Sequence, residues 1–123
     1  MPSNSEIVFE FTTAWSNMDI DKVMSFFAED AEYANIPMGP PNVGKEAIRQ
    51  FIDGFVGTAS AIEFIVHHQV EGGDGIVMNE RTDKITIGGN QVDLPVMGIF
   101  ELRDGKIRAW RDYFDMGPFT SGA

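Results

Sequence analysis

Three short glycine-centred turns cut the second half of this chain into four long runs with strand character. In the first run Ile62, Phe64, Val66, His68 and Val70 alternate with Glu63, Ile65, His67 and Gln69. Gly72-Gly73-Asp74-Gly75 turns into a second run over 76–87, and Gly88-Gly89-Asn90 into a third over 91–102. Arg103-Asp104-Gly105-Lys106 turns into a fourth over 107–116. Strands joined this tightly pair with their chain neighbours, because a parallel connection needs a crossover of about a dozen residues. The spacing therefore predicts an antiparallel meander.

The first half has a helical period instead. Ser3 and Glu6 have capping-box spacing, and Ile7, Phe11, Ala14 and Trp15 then recur on one helical face to about residue 17. Asp19 is positioned to cap a second helix carrying Ile20, Val23, Met24 and Phe27. A short strand over 31–36 follows, then a Pro/Gly loop over 36–44. A third helix over 45–55 carries Ala47, Ile48, Phe51, Ile52 and Phe55. Helices first and strands later is an α+β order. Three N-terminal helices on the concave face of such a sheet would form a cone with a pocket inside. No linker or repeat divides the chain, so residues 1–123 are expected to form one domain.

Composition narrows the function. Nineteen acidic against nine basic residues give a formal charge of −10, which disfavours phosphate backbones and anionic membranes. Cysteine is absent, which excludes disulfides, a thiol nucleophile and thiolate metal sites. No apolar run approaches the ~18 residues of a membrane span, and no Lys or Arg precedes Lys22, unlike a signal peptide. A cytoplasmic location is the expectation. His67 and His68 are neighbours on a strand and so face opposite ways. They do not form a metal pair, and His68 is expected to point inward with Phe64 and Val66. No dinucleotide fingerprint, P-loop or nucleophile elbow is present.

Strand parity then singles out charges on apolar faces. Asp112 lies between Trp110 and Phe114. Arg81 and Asp83 point together, in line with Val77, Asn79 and Ile85. Tyr33 and Asn35 share a face with Ala31 on the short strand. Arg81 and Asp83 fit a structural ion pair, and Asp112 could pair with Arg108 or Arg111. An aspartate on a buried face must pair or protonate. An arginine between two aspartates meets that need and also makes a tunable acid/base pair.

Assembled, these residues give the chain a resemblance to the limonene-1,2-epoxide hydrolase family, within the superfamily of nuclear transport factor 2, ketosteroid isomerase and SnoaL-like polyketide cyclases. It runs from Ile7 to about Phe119 and is carried by FFAEDAEYANIP (26–37), NERTD (79–83) and GIFELRDGKIRAWRDYFD (98–115). The resemblance implies a curved, mixed but mostly antiparallel sheet. It implies Asp112 as general base on a water held by Tyr33 and Asn35. Asp83 would be the protonated acid at the epoxide oxygen, and Arg81 the bridge between the aspartates. It implies one-step opening of an epoxide to a vicinal diol, with no cofactor and no metal. Trp15, Phe55, Phe64, Leu94, Val96, Phe114 and Phe119 are the candidate walls for a small hydrophobic epoxide. An isomerase or cyclase of the superfamily, or a non-catalytic hydrophobic-ligand module, are the alternatives. Met97, Ile99, Leu102 and Tyr113, assigned to the outer sheet face, suggest a homodimer, as does the resemblance.

Overall fold

The computed structural model describes residues 2–120. Helix α1 (Asn4–Ser16) opens with both halves of the capping box: Ser3 Oγ accepts from the Glu6 N–H, and Glu6 Oε1 accepts from the Ser3 N–H. Its buried stripe is Ile7, Val8, Phe11, Ala14 and Trp15. Helix α2 (Ile20–Ser25) is capped by Asp19, whose carboxylate accepts from the Lys22 N–H. It stops two residues earlier than expected. Phe27 belongs instead to strand β1 (Phe27–Asn35), where it pairs with Ile107 and meets the Phe11 ring edge-on.

The loop expected over 36–44 contains a 3₁₀ turn (Ile36–Met38) and strand β2 (Asn42–Val43), which pairs antiparallel with β1. Helix α3 (Lys45–Val56) buries Ile48 and Ile52 completely. The meander follows as β3 (Ala59–Glu71), β4 (Ile76–Ile87), β5 (Asn90–Arg103) and β6 (Lys106–Tyr113). The fourth expected run ends early, at Tyr113, and residues 114–116 link it irregularly to helix α4 (Gly117–Thr120).

The sheet order is β2-β1-β6-β5-β4-β3, with only the β1–β6 pair parallel. The fold is therefore α+β with a mixed, mostly antiparallel sheet and three helices at its N-terminal end. Phe11 is the centre of the core: five aromatic rings, those of Trp15, Phe26, Phe27, Phe100 and Trp110, meet it edge-on. Among the described residues no helix is long and apolar enough to cross a membrane.

Two expected facings are corrected. His68 is exposed, because the β3–β4 register shifts between Val66 and His68. One extra residue in a strand reverses the facing of everything after it, so Gln69 turns inward instead. Leu102 is buried in the core cluster, on the same face of β5 as Leu94, Val96 and Phe100. Met97 is exposed and Ile99 half-buried on the opposite face of that strand.

Candidate active site

Two adjacent rows of side chains run across the concave face. The first passes from Val77 on β4 through Phe100 and Trp110 to Tyr33 on β1. Its rings are stacked, with 4.2 Å between the centroids of Tyr33 and Trp110 and 5.5 Å between those of Trp110 and Phe100. The second row is polar: Gln69 on β3, Asn79 on β4, Gly98 on β5, Asp112 on β6 and Asn35 on β1. Arg81 and Asp83 continue along β4 from Asn79 on the same face. Sequence parity selected three of these strands, and register now joins them into one site.

Arg81 is the hub. Its Nε and Nη2 donate to Oδ1 and Oδ2 of Asp83, each at 3.0 Å. Nη2 also donates to Asp112 Oδ2 at 2.7 Å, and Nη1 donates to Asn79 Oδ1 at 2.9 Å. The guanidinium carbon stands 4.9 Å from the Phe64 ring centre and 5.9 Å from that of Trp110, so rings also face the cation. The other oxygen of Asp112 accepts from Trp110 Nε1 at 2.7 Å. Behind the hub, Asn79 Nδ2 donates to Gln69 Oε1, and Gln69 Nε2 donates to the backbone oxygen and Oγ of Ser5 on α1. Thus a chain of hydrogen bonds ties the guanidinium to the first helix.

The electrostatics separate these groups. Burial pushes the Asp83 carboxyl up to about 6, against the opposing pull of Arg81 and with a further push from Asp112. Arg81 loses hydration on burial, but Asp112 and Asp83 hold it above its ordinary range. Burial also raises the Tyr33 phenol, with Asp112 adding to the rise, so Tyr33 keeps its proton and can donate. Its Oη lies 3.3 Å from Asn35 Oδ1. One cation and two carboxylates become neutral overall when they share one proton, and Asp83 is the carboxyl that burial prepares to hold it.

A cavity of about 290 Å³ opens in front of this cluster. Tyr33, Asn35, Asp83 and Asp112 supply its polar edge, while Arg81 stands behind them and does not line it. Trp15, Phe55, Phe64, Leu94, Val96, Phe114 and Phe119 all reach the wall. Met38, Phe51, Ile85, Ile87 and Met116 complete it and were not singled out from the sequence. Trp15 stacks on Phe64 at 5.2 Å, and its Nε1 is the one buried side-chain polar atom without a hydrogen-bond partner among the described residues. No group of three His, Asp or Glu residues suited to a metal occurs among them.

Sequence reasoning placed Asn79 on the right face but gave it no role. Gln69 carried no signal, because its inward turn depends on the bulge. Gly98 carried one that went unread: a glycine inside a strand marks close approach by another group.

Residues 8–110 match the SnoaL-like domain family. This chain belongs to that family. The SnoaL-like domain is 33% identical over 114 residues to epoxide hydrolase EphG of Mycobacterium tuberculosis, spanning 91% of this chain and 73% of that protein. It also matches the structure of an M. tuberculosis LEH-like epoxide hydrolase with a TM-score of 0.84 and 31% identity, covering 97% of this chain and 87% of the other. An NTF2-like protein of unknown function from Burkholderia pseudomallei gives a TM-score of 0.86 at 18% identity, over 98% and 97% of the two chains. That last likeness concerns the fold alone. The SnoaL-like domain thus has the cone fold of the nuclear transport factor 2 group and is a homologue of an epoxide hydrolase.

Proposed function

We propose that this protein, acting as one domain over residues 1–123, is an epoxide hydrolase of the limonene-1,2-epoxide hydrolase type that converts a small hydrophobic epoxide to a vicinal diol without a cofactor. The observation that carries the reading is Arg81 held between Asp83 and Asp112 at the edge of an apolar cavity. Epoxide opening needs a nucleophile and a proton for a poor leaving group at the same moment. Asp112 takes a proton from water while the water oxygen bonds to one epoxide carbon. That carbon's bond to the ring oxygen breaks, and Asp83 gives its proton to the oxygen released. The aspartates end with their protonation exchanged, and solvent restores it.

Asp83 suits the acid role because both its oxygens accept from Arg81 and still keep free lone pairs, one of which can carry the proton. Asp112 suits the base role because it lines the cavity and each of its oxygens accepts one hydrogen bond, from Arg81 or from Trp110, which leaves lone pairs free to take a proton. Asn35, register partner of Asp112, and the Tyr33 phenol would orient the water. The walls would bind the hydrocarbon part and exclude bulk solvent.

The test is turnover of epoxides of graded size, such as cyclohexene oxide and styrene oxide, by the wild type and by Asp112→Asn and Asp83→Asn. Turnover by the wild type and its loss in both variants is expected. Full-rate variants would refute the mechanism. If no epoxide turns over while an apolar ligand raises the melting temperature, the domain is a binding module instead. Met97 and Tyr113, exposed on the outer sheet face, also lead us to propose a homodimer through that face. Light scattering at micromolar concentration should give twice the chain mass, and a monomer would contradict it.

A further inference from the structure

Arg81 and Asp112 are not on neighbouring strands. Strand β5 lies between their strands β4 and β6, so the guanidinium must cross the width of a strand, about 4.8 Å, on the concave face. The β5 residue paired with both Asn79 and Asp112 is Gly98. Its φ lies outside the left-handed range, so backbone geometry does not demand glycine. In a strand interior glycine loses conformational entropy and offers nothing to pack. Its neighbours on the same face, Val96 and Phe100, are both bulky and buried.

The space beside it gives the reason. A Cβ at this position would lie 2.5 Å from Arg81 Nη1, 2.6 Å from Asp112 Oδ1 and 3.2 Å from Asn79 Oδ1. These atoms are the ends of the two side chains and the amide that make the bridge. We propose that Gly98 is a positioning residue: its missing side chain is the gap through which Arg81 reaches Asp112, and any larger residue separates the two. The bridge is a geometric claim about the fold, and its catalytic consequence rests on the hydrolase reading above.

A methyl group here would press on side-chain ends rather than backbone, so the chain can still fold. Arg81 has no solvent to retreat into, however, because its side chain is fully buried. Displacing Nη1 loosens Asn79, and displacing Asp112 Oδ1 disturbs its hydrogen bond from Trp110. The bidentate contact to Asp83 uses Nε and Nη2, neither of which is among the atoms the methyl meets, so the acid keeps its partner, whereas Asp112, met at Oδ1, must swing away from Nη2.

The experiment is Gly98→Ala in the full chain, alone and combined with Arg81→Gln. For the single variant kcat on an epoxide should fall by about 100-fold or more, with KM little changed because Gly98 is not on the cavity wall. The acid limb of its kcat/KM profile should move to higher pH, because a buried carboxylate has lost its cation. A packing defect alone would leave that profile in place, and an unmoved profile would overturn the proposal. Melting temperatures supply a readout that needs no substrate. Gly98→Ala should lower the melting temperature in the wild-type background and leave it unchanged or raised beside Arg81→Gln, where the methyl enters vacated space. If the single variant does not fold, the double variant should recover folding. Equal losses in both backgrounds, or no recovery, would overturn the proposal. Wild-type protein that turns over no epoxide but shows this cycle would refute the hydrolase reading and keep the positioning role.

Discussion

The sheet carries two clusters of three charges, one on each face, with opposite composition. On the concave side Arg81 bridges Asp83 and Asp112, with side chains 0%, 6% and 5% exposed. On the outer side Glu101 receives Arg108 at 2.5 Å and Arg111 at 2.7 Å, with exposures of 19%, 44% and 34%. The contact lengths barely differ, yet of the two clusters only the inner one holds a carboxyl, that of Asp83, which burial pushes up. Around Glu101, water screens the charges, so such pairs typically stabilise by about 0–1 kcal/mol. Around Arg81, lost hydration pushes one carboxyl, that of Asp83, toward its protonated form, while the arginine also donates to the other, Asp112. Burial, more than pairing, separates the two clusters.

Several substitutions should widen or collapse this contrast. The largest effect belongs to Asp112→Asn, which keeps the shape but removes the proposed base. A fall of about 10²–10⁴ in kcat/KM is expected in initial-rate assays. Next is Arg81→Gln, which leaves two buried carboxylates without a cation. Urea unfolding should show a loss of about 3–5 kcal/mol, and a loss no larger than that of Glu101→Gln would erase the contrast.

The pH dependence comes third. Because the acid must be protonated, kcat/KM of the free enzyme should decline as pH rises through about 6. The same group acts on stability. Its folded value lies above the ordinary 3.8, so its contribution is fully present below that value and is lost as pH rises through about 6. Thermal unfolding across this window should lose that component in Asp83→Asn, and an unchanged pH dependence would contradict it. Smallest of all is Glu101→Gln, expected to change stability by less than about 1 kcal/mol and to leave turnover intact, read by melting temperature and kcat/KM together.

Much of this contrast was legible before any coordinates. The three glycine turns fix the meander, and alternation alone sets Arg81, Asp83 and Asp112 on apolar faces. What alternation cannot carry is a change of phase. The shift at Val66–His68 turned His68 outward and Gln69 inward, and nothing in the residue types announces it. Phe27 fits a helical period as well as a strand, and its place was decided by a parallel partner eighty positions away, Ile107. Strand β2 is two residues long in a Pro/Gly loop, too short for any period to register. Leu102 is different, since its parity with Leu94 and Val96 was visible and places it inward. The bridging role of Asn79 and the gap at Gly98 required knowing which strands are neighbours.

The central claim is that Asp112 activates water rather than attacking the epoxide itself. Single-turnover hydrolysis of a small hydrophobic epoxide in ¹⁸O water, with enzyme in excess and the diol read by mass spectrometry, tests it directly. Label in the diol from the first turnover is the expected result. A first-turnover diol free of label, with ¹⁸O entering the enzyme carboxylate afterwards, would show that an aspartate was the nucleophile and would contradict the claim.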